Sequence, residues 1–288
     1  MEKTSMAANW YSLYIPDSSP EAVSAALGDL LGRHGYTPYD PFPGGAGTPP
    51  ALTDLVRLFV APAQEGWVRV LGALDRSLCQ ELSAALERPV VVTWLEDEGG
   101  GIALITADGW HESAEAFAPY LRDGVSTDDL QRAWAGAPPT DAASDETQAG
   151  PALPPPLADL ARQQGVDPHK ASSLFEQLSG RLFGRLREEE GESTAGQEAA
   201  RAVLMGGGRD PWHSLAGVRV RAIAALLTLP FTWREPSWEA VRDAYHAYRM
   251  RERYPRMTPL PGDRAALAAV PDAPAYRPVF MGRVRTEG

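Results

Sequence analysis

Arginines and tyrosines alternate in the segment 242–256, RDAYHAYRMRERYPR. Arginine fixes phosphates and aromatic rings stack on bases, so this pattern can serve nucleic-acid binding. The candidate contacts are Arg242, Arg249, Arg251 and Arg253. The alternative is an amphipathic helix in which Tyr245 and Tyr248 pack while the arginines stay in solvent. We favour this alternative, because a chain with a net charge of −11 is repelled by a polyanion.

The segment 157–175, LADLARQQGVDPHKASSLF, resembles a helix-turn-helix unit. Gly165 stands at the turn, and Ala161 and Leu174 stand where the two helices would pack. In such a unit, exposed residues of the second helix touch base edges in the major groove of DNA. The contacts that the resemblance implies are His169, Lys170, Ser172 and Ser173. A purely structural corner between two helices is the alternative.

Other reactive side chains lack the spacing of a catalytic or metal site. The run Gly206–Gly208 precedes a predicted helix but lacks the lysine and hydroxyl of a phosphate loop. The cluster Glu96–Glu98 lies on a predicted hairpin tip without the spacing of a calcium loop. No two of the five histidines have the spacing of metal ligands. We therefore expect no catalytic residue, no metal and no cofactor.

The single cysteine, Cys79, stands on an apolar helix stripe, where a thiol behaves as a small buried hydrophobe. One cysteine cannot form an intrachain disulfide, which suits a reducing compartment. No run reaches the roughly 18 apolar residues of a membrane span, and residues 1–12 lack the apolar core of a signal peptide. We expect a cytoplasmic protein with no membrane partner.

Charge is distributed unevenly along the chain of 288 residues. Residues 1–152 hold 8 basic and 22 acidic side chains, a net charge of −14, and residues 153–288 hold 19 basic and 16 acidic ones, a net charge of +3. Two such halves can attract each other or recognise different partners. The basic residues comprise 25 arginines and 2 lysines, a bias that GC-rich coding explains.

The first half of the chain predicts an α+β domain. Residues 9–15 alternate as a strand, and Ser19 with Pro20 starts a helix that ends near Gly35. Strands follow near residues 55–60 and 67–71, then a helix over 75–87, then a hairpin over 90–106. This order, β-α-β-β-α-β-β, resembles a ferredoxin-like α/β sandwich with an extra strand.

Two further segments complete the predicted first domain, residues 1–135. The loop 36–50 holds five prolines and three glycines, and we expect a mobile flap or a covering arm rather than a core element. Residues 111–135 predict one or two short helices, the second capped by Ser126.

The sequence pattern in the second half of the chain predicts helices throughout. Residues 136–156 contain six prolines and no apolar periodicity, which indicates an interdomain linker. Residues 157–288 then predict an all-α domain, with helices over about 214–229 and 236–254. We expect residues 255–288 to wrap its surface, apart from a short helix near 263–270.

Aromatic residues suggest how such a protein would act. Trp212, Trp233 and Trp238 lie close together in sequence, and tryptophan is enriched at binding hot spots. The leading hypothesis is a non-enzymatic protein-interaction or assembly module, with itself or another protein as partner, whose interface includes these tryptophans, Tyr245 and Tyr248. The alternatives are a DNA-binding or regulatory protein and a sensor that holds a small molecule under the 36–50 loop.

Overall fold

Alternating apolar residues produce a single antiparallel sheet with helices on both faces. The computed structural model describes residues 10–96, 99–135, 212 and 214–284. The described residues form an α+β fold. Its strands are β1 Trp10–Pro16, β2 Thr37–Pro38, β3 Asp54–Val60, β4 Trp67–Leu71, β5 Val90–Glu96, β6 Gly99–Thr106, β7 Gly109–His111 and β8 Arg277–Arg283. Its helices are α1 Pro20–Arg33, α2 Arg76–Leu86, α3 Thr127–Trp134, α4 Leu215–Leu226, α5 Trp238–Arg253 and α6 Pro261–Ala269.

The strands lie in the order β2-β8-β3-β4-β1-β5-β6-β7. In the central strand β1, Leu13 lies opposite Val70 of β4 and Val92 of β5. The shortest strands, β2 and β7, form the two edges. Short edges expose few unpaired backbone groups and so discourage pairing with another sheet.

Strand β8 corrects the predicted division into two halves. It pairs with β3 over seven residues, from Asp54 opposite Arg283 to Val60 opposite Arg277. The expected all-α domain over 157–288 is therefore wrong for its described part. Residues on either side of the segment 138–213 belong to one compact unit. The predicted linker at 136–156 lies outside the described residues.

Helices α1 and α2 cover one face of the sheet. Their buried side chains include Leu27, Leu30, Leu78 and Leu82, which pack on the inward valines of the strands. Each fully buried aliphatic side chain contributes about 1.5–3 kcal/mol through removal from water. The predicted leucine stripe of α2 therefore forms part of the main core.

The other face is covered by the C-terminal helices and by the arm 36–50. Phe42 of the arm packs on Phe59 and Phe280 of the sheet and on Tyr245 of α5, at ring-centroid distances of 4.8–6.0 Å. Tyr39 is also buried. The segment therefore acts as a covering arm, one of the two expected alternatives, but the expectation that it contains no core element is wrong, because Tyr39 and Phe42 belong to the buried cluster between sheet and helix.

Helix starts follow the predicted capping residues in most places. The Ser19 hydroxyl accepts from the Ala22 amide at 3.1 Å, and Ser126 forms a capping box with Asp129. Asp75 occupies the N-cap position of α2, but its side chain makes no capping hydrogen bond. Within the described ranges, no helix has the length and apolar character that crossing a bilayer requires.

Candidate interaction surface

Helix α5 ends in an exposed corner that combines arginines with apolar side chains. We call residues 251–260, between α5 and α6, the basic corner. Its exposed apolar members are Tyr254, Met257 and Leu260, with relative exposures of 51%, 45% and 66%. Backbone hydrogen bonds from Tyr254 N to Met250 O, 2.8 Å, and from Met257 N to Tyr254 O, 3.0 Å, fix this turn. The apolar side chains are thus held outward by ordered backbone.

The register of α5 explains why the corner is exposed. Val241, Ala244 and Tyr245 recur at helical spacing and are buried against the sheet. The last turn of the helix carries Arg251 and Arg253 at exposed positions. The charged side chains of α5 therefore change from mixed to mainly basic at the point where the helix leaves the core.

Three arginines of the basic corner have no ion-pair partner within the described part of the chain. These are Arg251, Arg253 and Arg256, and all three are exposed. The earlier arginines of α5 differ. The Arg249 guanidinium lies 3.1 Å from the Asp40 carboxylate. Burial alone would lower the pKa of Arg249, but the interactions with Tyr245 and Asp40 together raise it. Arg242 contacts Asp243 at 2.7 Å and lies over the Trp238 ring at 5.4 Å.

The structure thus separates the residues that the sequence grouped together. Arg251 and Arg253 are exposed and have no ion pair with a described residue, whereas Arg242 and Arg249 are already engaged within the fold. Tyr245 is buried at 8% exposure, so its ring is not available for stacking on bases. Tyr248 is half-buried beside it, at a ring-centroid distance of 6.0 Å. The predicted nucleic-acid contacts at His169, Lys170, Ser172 and Ser173 lie outside the described residues.

The tryptophans hold the C-terminal segments against the sheet. Trp233 is 9% exposed and meets Trp10 edge-on at 5.6 Å. The Trp238 indole donates to the Arg57 carbonyl at 3.1 Å and contacts Phe59. Trp212 is half-buried. Packing of this kind gives Trp233 and Trp238 a role within the fold.

A buried polar cluster lies beneath the segment 230–236, and no pattern in the sequence predicted it. It consists of Ser12, Tyr14, Arg69 and Thr93 on the central strands. Arg69 Nε donates to Ser12 Oγ at 3.0 Å, and one Arg69 Nη donates to the Arg234 carbonyl at 3.3 Å. The Tyr14 hydroxyl donates to the Trp233 carbonyl.

Arg69 is a buried cation with few polar partners among the described residues. It is 7% exposed, and among the described residues no carboxylate forms an ion pair with it and no group forms a hydrogen bond with its Nη1. Its guanidinium lies 5.5 Å from the Trp10 ring centroid and 6.0 Å from that of Tyr14, so aromatic faces supply part of the missing stabilisation. The cluster ties the crossover segment to the sheet.

The described residues contain no group of three metal-ligating side chains. The Cys79 thiol is buried, and burial raises its pKa to about 12, so it remains a protonated thiol at neutral pH. Neither feature provides a nucleophile or a metal centre in this part of the chain.

Comparison with known proteins found no relative. No protein-family model matches the chain, and neither a curated protein nor a solved structure does.

Proposed function

We propose that the chain is a non-enzymatic protein-interaction module that acts in the cytoplasm and binds an acidic protein through the basic corner. The observation that supports this most directly is the coexistence of three arginines that have no ion-pair partner among the described residues with three exposed apolar side chains on ordered backbone. Arginine and tyrosine are enriched at binding hot spots. An ordered surface also loses less entropy on binding than a mobile one.

The sign of the local charge supports an acidic partner. The chain as a whole carries −11, yet the last turn of α5 and the turn after it are basic. Charges more than about 8 Å apart are largely screened at physiological salt, so the nearby arginines dominate recognition. Such arginines steer an acidic surface into place, and the apolar side chains then contribute burial.

We further propose that the four strands β3-β4-β1-β5, with α1 and α2, form a ferredoxin-like sandwich extended at both edges. The observation that supports it is the spatial order of these strands around β1. That fold accommodates many unrelated functions, so it adds nothing to the choice of partner.

The interaction proposal is tested by affinity capture with matched variants of the full chain. One variant carries Arg251→Gln, Arg253→Gln and Arg256→Gln. The control carries the same change at three exposed arginines elsewhere, Arg33, Arg88 and Arg234. We expect a protein that the wild type and the control retain, that the corner variant loses, and that high salt releases. Retention of identical proteins by all three chains would contradict the proposal.

Nucleic-acid binding is the second candidate, and the same unpaired arginines beside exposed Tyr254 favour it. Arginines would hold phosphates and the tyrosine would stack on a base. A gel shift with single-stranded DNA and RNA separates the two candidates. A shift that the corner variant loses supports nucleic acid as the partner, and no shift at low salt removes this candidate.

A further inference from the structure

Arg69 brings a positive charge into the interior of the fold, at a place separate from the basic corner. Its Nε donates to Ser12 Oγ and one Nη donates to the Arg234 carbonyl, and both acceptors are neutral. Nη1 has no hydrogen-bond partner among the described residues, although the residue is only 7% exposed. A guanidinium keeps its proton in a protein, so neutralisation cannot relieve the burial. A buried charge is costly without a counter-charge beside it, which points to a negative group at Nη1.

The polar groups around Arg69 do not supply that counter-charge. Tyr14 lies directly opposite Arg69 on the neighbouring strand, and Ser12 lies opposite Thr93, so all four side chains share one face of the sheet. The Tyr14 hydroxyl donates to the Trp233 carbonyl, and Thr93 Oγ1 donates to the Ser12 carbonyl at 3.3 Å. These hydroxyls are neutral and already bonded. Within the described part of the chain, no carboxylate forms an ion pair with Arg69.

The cluster favours a small anion with a single negative charge. Sulfate or phosphate would bring more negative charge than one guanidinium balances, beside the carbonyl oxygens of Trp233 and Arg234. The ring centroids of Trp10 and Tyr14 lie 5.5 and 6.0 Å from the guanidinium carbon of Arg69. Ring faces carry negative potential, so an anion is disfavoured over them. The ion is therefore expected at the N–H groups of Nη1.

We propose that Arg69 Nη1 binds a small monovalent anion, of the size of chloride, between the central strands and the segment 230–236. The ion balances the buried guanidinium and stabilises the contact between this segment and the sheet. Nη1 is closed to solvent, so the ion enters when the segment lifts. The Arg234 carbonyl bond to Arg69 is the weak point, because its 3.3 Å exceeds the usual N–H···O distance of about 2.9 Å. Two backbone hydrogen bonds of 2.9 Å within the segment hold its shape independently of the sheet.

Thermal unfolding of the full chain tests this proposal. Chloride replaces the bulky anion gluconate in the buffer at constant ionic strength. We expect the unfolding midpoint to rise with chloride and to saturate, by about 3–5 °C at ten times the half-saturating concentration. Bromide should act in the same way. Sulfate stabilises proteins in general by exclusion from their surface, so its effect should grow without saturation.

Matched variants assign the chloride effect to one guanidinium. Arg69→Met removes the buried charge and keeps a long side chain, and we expect it to lose the saturable response. Arg234→Met changes an exposed arginine of the same segment and keeps its backbone carbonyl, so it should respond as the wild type does. A saturable chloride response of equal size in Arg69→Met, or none in the wild type, would overturn the proposal.

Wild-type crystals grown in sodium bromide test the site without any variant, and so also where Arg69→Met fails to fold. We expect an anomalous scattering peak in contact with Arg69 Nη1. A water molecule alone at Nη1 would satisfy the hydrogen bond but not the charge, and it would contradict the proposal. Bromide bound only at other positions would do the same.

Discussion

The Tyr14 hydroxyl and the Arg69 guanidinium show how single buried groups fix one segment of this chain. Together they bind the carbonyls of Trp233 and Arg234, which belong to the crossover between α4 and α5. A buried carbonyl that loses its donor pays the full cost of desolvation. The cluster should therefore matter for stability although it occupies few residues.

Tyr14→Phe should lower the free energy of unfolding by about 1–3 kcal/mol, because it removes the buried hydroxyl that donates to the Trp233 carbonyl. Denaturant unfolding followed by circular dichroism measures this loss. The control is Tyr248→Phe at a half-buried position, for which we expect a change within about 0.5 kcal/mol. Equal effects of the two substitutions on the free energy of unfolding would contradict a structural role for the cluster.

The buried thiol of Cys79 and the buried phenol of Tyr276 lead to a prediction of how stability depends on pH. Burial raises the pKa of Cys79 from 9.0 to about 12 and that of Tyr276 from 10.0 to about 12. Between the unfolded and folded pKa values, the unfolded chain ionises and the folded chain does not, so unfolding releases protons and stability falls as pH rises.

We therefore expect the unfolding midpoint to decrease steadily above about pH 9. Native Cys79 should also resist alkylation at about pH 9 and react once the chain unfolds. The matched variant Cys79→Ala should lose less stability than the wild type over the same pH range. Rapid alkylation of the folded chain would show that the thiol is accessible after all.

At the scale of elements, Gly72 connects strand β4 to the segment before α2. Its φ is +113°, and a Cβ at this position would lie 2.5 Å from the Arg57 carbonyl oxygen. Gly72→Ala should lower the free energy of unfolding by about 2 kcal/mol or more. Alanine disfavours this positive φ, and its Cβ would clash with the backbone of the neighbouring strand. Gly28→Ala, in the interior of α1 with no atom within 4 Å of the added Cβ, should instead stabilise by about 0.5–1 kcal/mol.

Thermal or denaturant unfolding of these two alanine variants measures the contrast. Gly72→Ala and Gly28→Ala make the same chemical change, so the opposite signs isolate the effect of position. A Gly72→Ala variant as stable as the wild type would indicate that this connection adopts another backbone conformation.

Local patterns were sufficient to predict most elements but not their partners. The four-residue leucine spacing predicted α2, and the run Val90–Val92 predicted a strand covered on both faces; these three valines are buried. Strand β8 was missed because its seven residues stand among prolines and pair with β2 and β3, which lie more than 200 positions earlier. Arg69 was missed for a related reason, since the distant segment 230–236 covers the strand face that carries it.

The candidate surface was predicted only in part. Arg251 and Arg253 were among the expected contacts, and they lie in the basic corner. Met257 and Leu260 gave no periodic signal, because they lie in a turn whose exposure depends on where α5 leaves the sheet. Sequence spacing also could not show that Arg249 pairs with Asp40, a residue from the proline-rich arm.

At the scale of the whole molecule, the pairing of β8 with β3 joins two segments that are more than 200 residues apart in the sequence. Deleting residues 272–288 removes Val279 and Met281 from the core under α1 and α2, and Phe280 from the core on the other face of the sheet. The deletion also leaves β3 without its partner β8. We expect the shortened chain to lose cooperative unfolding. Deleting residues 285–288 retains β8 and should leave the transition within about 0.5 kcal/mol. A cooperative transition in the 272–288 deletion would mean that β8 is dispensable.

The claim that the basic corner is the functional surface can be tested directly by photo-crosslinking in cells. A photoreactive amino acid replaces Leu260, which is 66% exposed, and in a control chain it replaces exposed Ala25 on α1. We predict a discrete covalent adduct with a protein from position 260, lost when Arg251, Arg253 and Arg256 become glutamine, and no such adduct from position 25. No adduct from position 260, or the same adduct from both positions, would contradict the account.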